Sequence, residues 1–186
     1  MSKSKTKMNE ITNDKININN VNIYLLPFMY GSLLVRLTKD IKDINELNTK
    51  IESIGYDMGK RLVDDLIDDP QLIVDVSEKN KLMEILINKL FQNYLGINGN
   101  LSMGAENEYH FIFQDNPLSF CVELPESLNG LIYSNIICGM LRGILEISGF
   151  EVKCEFVKDK IKGDDTNDLK INLVKFIEER FIDDEE

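Results

Sequence analysis

The stretch 129–150, NGLIYSNIICGMLRGILEISGF, constrains the rest of this chain more than any other. Apolar residues occupy nearly every side of it: Leu131, Ile132, Ile136, Ile137, Met140, Leu141, Ile144, Leu145 and Ile147. A helix that is apolar all round belongs inside a core or a bilayer. Asn135, Arg142 and Glu146 fall within the span, and a charge near the bilayer centre costs about 2.5–3.5 kcal/mol. The segment therefore reads as a largely apolar central helix, over 131–148, of a packed core. Gly139 and Gly143 stand one turn apart, so one face carries no side chains and lets a second backbone come close. Glycine inside a helix costs roughly 0.5–1 kcal/mol against alanine, which tight packing must offset. Arg142 and Glu146 have the i, i+4 spacing of a pair along the helix. Arg142 can instead reach a carboxylate on another element.

A core helix needs a domain around it, and 186 residues suit one domain with a tail at each end. The balance of 43% hydrophobic to 28% charged residues is that of a globular chain. The net charge of −11 and pI of about 4.6 come without any basic stripe. No nucleic-acid partner is expected, and binding to an anionic bilayer through a surface patch is disfavoured. Basic or apolar partner surfaces fit. The cysteines, Cys121, Cys138 and Cys154, form neither a close pair nor a zinc pattern. Buried free thiols in a reducing cytosol are the expectation. Residues 1–22 are polar and patternless, with no apolar run of a signal peptide and Ser2 where a myristoylation signal needs glycine. They read as a flexible tail.

The domain is expected over 23–182, with an acidic tail at 183–186. Pro27 suits a first helical turn, and Phe28, Met29, Leu33, Leu34, Leu37 and Ile41 recur at helical spacing. Asp43 and Glu46 resemble a capping box for a second helix striped with Ile44, Leu47, Ile51, Ile54, Met58, Leu62, Val63 and Leu66. Gly55 and Gly59 repeat the one-turn glycine spacing. Asp68-Asp69-Pro70 ends that helix. Ser77 is the expected N-cap of a third helix, which Gly96 closes. The period then changes to two. Tyr109, Phe111 and Phe113 share one strand face, with His110 and Ile112 on the other, and 97–103 is its candidate hairpin partner. After Gly149, a strand 150–156 and a strand 169–173 alternate likewise around the Gly163-Asp164 loop. Helices first, then strands with a helix between them, indicate an α+β fold with an antiparallel sheet.

Catalytic signals are thin. The single histidine, His110, sits on a strand, and no nucleophile elbow, P-loop or dinucleotide glycine pattern occurs. The acidic pairs Asp64-Asp65, Asp68-Asp69 and Asp164-Asp165 read as solvated charge. No catalytic or metal site is expected, and the chain reads as a non-enzymatic binding or assembly protein.

The segments YGSLLVRLTKD (30–40), IGYDMGKRLVDDL (54–66), YLGI (94–97), DNPLSFCVELP (115–125), LIYSNIICGMLRGILE (131–146) and KCEFVKDKIKGD (153–164) together resemble the subunit-three type of the transport protein particle, TRAPP. The resemblance implies a four-stranded antiparallel sheet packed against several helices. It implies a hub subunit of a tethering complex in endoplasmic reticulum to Golgi transport, peripheral at those membranes from the cytoplasm. The assembled complex would act as nucleotide-exchange factor for a Rab-type GTPase. The early helices would form a dimer with other small TRAPP subunits or with a second copy. Leu33, Leu37, Leu47, Ile51, Ile54 and Met58 are the candidate contacts.

Members of that family carry an acylated cysteine before the third helix, its chain in an internal tunnel. The corresponding region here is LIVDVS, and near Val74, Asp75 and Val76 there is no cysteine. Covalent palmitate is therefore expected to be absent, while a non-covalent lipid stays compatible with the sequence. Leu86 and Leu90 fall at the candidate apolar tunnel and would narrow it; an open channel and a closed core both fit. The alternative reading is a free-standing small-molecule or lipid sensor of related fold. A haem sensor would have only His110 as axial ligand.

Overall fold

A computed structural model describes residues 24–67, 79–119 and 121–176. The expectations for the tails, for Asp68 to Pro70, for the Ser77 cap and for Val74 to Val76 lie outside these residues.

Helix α1 (Leu25–Asp40) carries Pro27 in its first turn, where the missing N–H costs nothing. It stops at Ile41, whose backbone turns extended. Helix α2 (Ile44–Ile67) opens as its sequence indicates: the Asp43 carboxylate accepts the Glu46 N–H at 2.8 Å. Helix α3 (Lys79–Lys89) runs on into a π-helical turn, Leu90–Tyr94. Gly96, at φ 64°, then reverses the chain. Four strands follow: β1 (Gly99–Met103), β2 (Glu108–Phe113), β3 (Phe150–Lys158) and β4 (Asn167–Phe176). They form one antiparallel sheet in the order β1-β2-β4-β3. Between β2 and β3 comes α4 (Asn135–Ile147).

The sheet faces are those the alternation implies. Tyr109, Phe111 and Phe113 of β2 point into the core beside Leu169 and Ile171 of β4. Phe91, from the π-helical turn, stacks on Phe111 with ring centroids 3.9 Å apart. His110 and Ile112 face away from the core.

Helix α4 lies between α2 and the sheet. Ile137, Leu141, Ile144 and Leu145 are fully buried there. Its glycine face meets the glycine face of α2, backbone on backbone. A Cβ on Gly139 would stand 2.8 Å from the Tyr56 nitrogen, and one on Gly143 would stand 3.0 Å from that of Lys60. Reciprocally, a Cβ on Gly55 or Gly59 would run into the carbonyl of Ile136 or Met140. The contacts climb in register along both helices, so α2 and α4 run the same way.

Two sequence expectations need correction. The central helix spans 135–147 rather than 131–148, because Asn48 of α2 captures the backbone before it. Asn48 accepts the Ile132 N–H at 2.8 Å and donates to the Gly130 carbonyl at 3.1 Å. The Asn135 side chain donates to the Asn48 carbonyl at 2.9 Å. Residues 130–134 are thus held in turns, with Leu131 packed inward. Second, Leu47 and Ile51 are not free for a partner. Each is 1% exposed, filling the chain's own core.

Candidate interaction surface

Helix α1 is attached by a narrow line of contacts. Tyr30 and Leu34 are buried, and the Tyr30 hydroxyl donates to the Tyr133 carbonyl while the two rings pack edge to face at 5.1 Å. Most other apolar positions on the helix face outward. Phe28 and Met29 are each 64% exposed, Val35 58% and Leu33 37%. Leu25 and Leu26 are also exposed, as is Met58 of α2. Isolated exposed apolar residues are ordinary; this many on one 16-residue helix make a candidate interaction surface. Of the sequence-derived dimer candidates, Leu33 and Met58 are exposed, Leu37 and Ile54 are half-buried, and Leu47 and Ile51 are internal.

The core-helix residues are brought together with α2. Arg142 does reach a carboxylate on another element: its guanidinium pairs with Glu52 and lies over the Tyr56 ring, 4.9 Å from the centroid. Burial, then a hydrogen bond to Glu146, raises the Tyr56 hydroxyl. Gly139, Arg142, Gly143 and Glu146 therefore belong to the α2–α4 joint. Leu86 and Leu90 are both buried in the core beneath the sheet and do not line the largest cavity described.

His110 lies on the outer face of the sheet between two carboxylates. Its Nδ1 is 2.9 Å from Asp168 Oδ1 and its Nε2 3.1 Å from Glu108 Oε1. Lys170 adds a contact of 3.1 Å to Glu108. The Asp168 and then the Glu108 hydrogen bonds raise the imidazole above its ordinary value. His110 and then Lys170 hold Glu108 below its own. With a carboxylate on each ring nitrogen, the imidazole is a strut across β2 and β4, not an open general base or an axial ligand in an apolar pocket. Cys138 is fully buried and burial raises its thiol; burial, then Glu52, pushes Cys154 up to about 12. Neither is an activated nucleophile. Among the described residues no cluster has the makeup of a metal site, and no helix is long and apolar enough to cross a membrane.

Sequence reasoning overlooked Asn48, Tyr30 and Tyr133. A single asparagine on a helix and tyrosines at apolar spacing carry no local sign that they will meet residues about a hundred positions away.

A helical layer on a four-stranded antiparallel sheet, with glycine-locked core helices and, among the described residues, an exposed apolar helix face, defines a small α+β module. The transport protein particle (TRAPP) component family matches residues 26–172 of this chain. The trafficking protein particle complex subunit 3 of Dictyostelium discoideum is 36% identical over 171 residues, covering 90% of this chain and 91% of that protein. A crystal structure of a trafficking protein particle complex subunit 3 from Naegleria fowleri, covalently bound to palmitic acid, superposes with a TM-score of 0.74 at 35% identity. It covers 85% of this chain and 98% of that one. An H-NOX protein from S. oneidensis shares the fold at TM-score 0.50 and 12% identity, covering 79% of this chain and 74% of that one. The chain belongs to the TRAPP component family.

Proposed function

We propose that this chain is a non-enzymatic hub subunit of a TRAPP vesicle-tethering complex, docking to other small subunits, or to a second copy, through α1 and the outer edge of α2. The observation that carries the reading is the uncovered apolar face of α1. Burying apolar surface is worth about 25 cal/mol per Å², and a helix that presents Leu25, Leu26, Met29 and Leu33 to water forgoes it unless a partner covers them. The dimer candidates narrow to Leu33 and Met58, with Leu37 and Ile54 at the margin. In this reading nucleotide exchange on a Rab-type GTPase belongs to the assembly, since the subunit brings no catalytic constellation of its own. Its place is at endoplasmic reticulum and Golgi membranes, held from the cytoplasmic side through the complex.

The Naegleria relative carries palmitate covalently. This chain has no cysteine near Val74 to Val76, so attachment at the family position is not part of the proposal. A free-standing haem sensor is not favoured either, because His110 is already engaged by Glu108 and Asp168 on the outer face of the sheet.

The test is gentle affinity purification of the full chain from its own cells, with mass spectrometry of what accompanies it. Several small TRAPP-type subunits at fixed stoichiometry are expected. Recovery of the chain alone would overturn the hub reading.

A further inference from the structure

The sequence contains two Asn-Gly pairs, Asn98-Gly99 and Asn129-Gly130. An asparagine followed by glycine is open to intramolecular attack. Glycine puts no Cβ beside the attacking nitrogen and reaches backbone conformations closed to other residues. The fold treats the two pairs differently. Gly99 opens β1 opposite Phe113, and the Phe111 ring comes within 2.5 Å of where its Cβ would stand. Asn129 and Gly130 are both exposed, in the turn that follows the short 3-10 turn Glu126–Leu128. Among the described residues, neither the Asn129 carboxamide nor the Gly130 N–H has a hydrogen-bond partner. An exposed electrophilic carbon thus stands next to an unbonded backbone nitrogen.

The chain around the pair is what restrains it. Asn129 sits at φ −58° and ψ −28°. Closing a five-membered ring needs ψ to leave this helical region, so that the Gly130 nitrogen can face the side-chain Cγ. That rotation carries residues 130–132 with it. It breaks the bond from the Leu131 N–H to the Leu128 carbonyl, 2.9 Å long. It also breaks the clamp of Asn48, which holds the Gly130 carbonyl at 3.1 Å and the Ile132 N–H at 2.8 Å. A short surface segment opens this way without global unfolding.

We propose that Asn129-Gly130 is a self-modification site whose rate is set by the Asn48 clamp. The Gly130 nitrogen attacks the Asn129 Cγ and forms a C–N bond. Its proton leaves with Nδ2 as ammonia, and a cyclic imide remains. Water then opens either C–N bond of the imide. Cleavage at the side-chain carbonyl leaves an ordinary aspartate. Cleavage at the main-chain carbonyl leaves isoaspartate, whose backbone runs through Cγ and is one methylene longer. Water is the only co-reactant, and nothing is oxidised or reduced. The longer backbone takes Gly130 and Ile132 out of register with Asn48. Tyr133, whose carbonyl anchors α1 through the Tyr30 hydroxyl, comes directly after them. No step in this chemistry restores the asparagine, so the clamp is released in one direction. The site does not depend on the assembly reading.

The experiment incubates the purified full chain in mildly alkaline buffer. Peptides spanning each Asn-Gly pair are followed by mass spectrometry with electron-transfer fragmentation, which separates isoaspartate from aspartate. Modification at Asn129 is expected about threefold faster than at Asn98, with isoaspartate the major product. Asn48→Ala should speed the reaction at Asn129 about threefold further and leave Asn98 unchanged, the mark of a local opening. Asn48→Asp keeps the acceptor for Ile132 and removes the donor to Gly130, so it carries the same comparison if the alanine variant does not fold. Asn129→Gln, at an exposed position, should keep the parent's stability and form no product there, because its longer side chain closes the ring slowly. Hydrogen exchange over 130–136 should rise on ageing in the parent and stay constant in Asn129→Gln. An Asn129 that stays intact in the folded chain overturns the proposal. Equal rates at Asn129 in the parent and in the folded Asn48 variants overturn the role of the clamp.

Discussion

At Gly55, Gly59, Gly139 and Gly143 the missing side chain is what permits the contact. Alanine would improve helix propensity by roughly 0.5–1 kcal/mol, yet each Cβ would collide with backbone of the facing helix. Backbone cannot rotate away as a side chain can, and overpacking costs about 1–3 kcal/mol. The packing loss wins. Gly55→Ala should therefore lower stability despite the better helix former, and Gly143→Leu should cost about 3 kcal/mol or more. Urea unfolding monitored by circular dichroism checks both; an unchanged midpoint for Gly143→Leu would mean that α2 and α4 are not in contact there. His110 makes a second prediction at this scale. Its folded value is raised above the unfolded one, so its stabilising contribution is full below the unfolded value, near 6.5. It is lost as pH climbs through the folded value. The urea midpoint should fall on going from pH 6 toward pH 9, and His110→Gln should flatten that part of the profile. Glu108 has the opposite sign. Its lowered value makes its contribution present at neutral pH and lost in acid.

Helix boundaries and attachments are decided one level up. The α4 segment is apolar enough to start at Leu131, and Asn48 prevents it. Replacing Asn48 by Ala leaves the Ile132 N–H and Gly130 carbonyl without their partners. The expected cost is about 1–3 kcal/mol. Faster amide hydrogen exchange confined to 130–136 would identify the mechanism. Helix α1 shows the converse: it is long and well formed, but anchored mainly through Tyr30 and Leu34. Tyr30→Phe leaves the Tyr133 carbonyl unpaired. It should raise hydrogen exchange across α1 while leaving α4 protected, a local loosening in place of global unfolding.

For the whole molecule, the question is which apolar surface closes the domain and which is left for another chain. Met29→Glu with Leu33→Glu puts charge on an already exposed face. It should leave the melting temperature within a degree or two of the parent and remove the partner subunits from the affinity purification. Leu47→Glu should instead abolish folding, because that side chain is core. The sequence placed Leu33 and Leu47 on the apolar stripes of the first and second helices, both as dimer candidates, and could not tell them apart. Periodicity reports that a residue shares a helix face; it is silent on which neighbour covers that face, and α1 is covered along only part of its circumference.

The same division runs through the rest of the chain. The sequence by itself determined the apolar helix before β3, the bare glycine faces, the Asp43 cap and the in–out alternation of Tyr109, Phe111 and Phe113 against His110. Each rests on spacing within one element, which backbone geometry converts directly into a face. The tertiary structure alone decided that the two glycine faces meet each other, that Arg142 chooses Glu52, that Asn48 delays α4 and that the Tyr30 hydroxyl finds the Tyr133 carbonyl. Those outcomes join residues some eighty to a hundred positions apart. No local pattern encodes them, because they are fixed by how the folded backbones approach and not by the order of residues along either one.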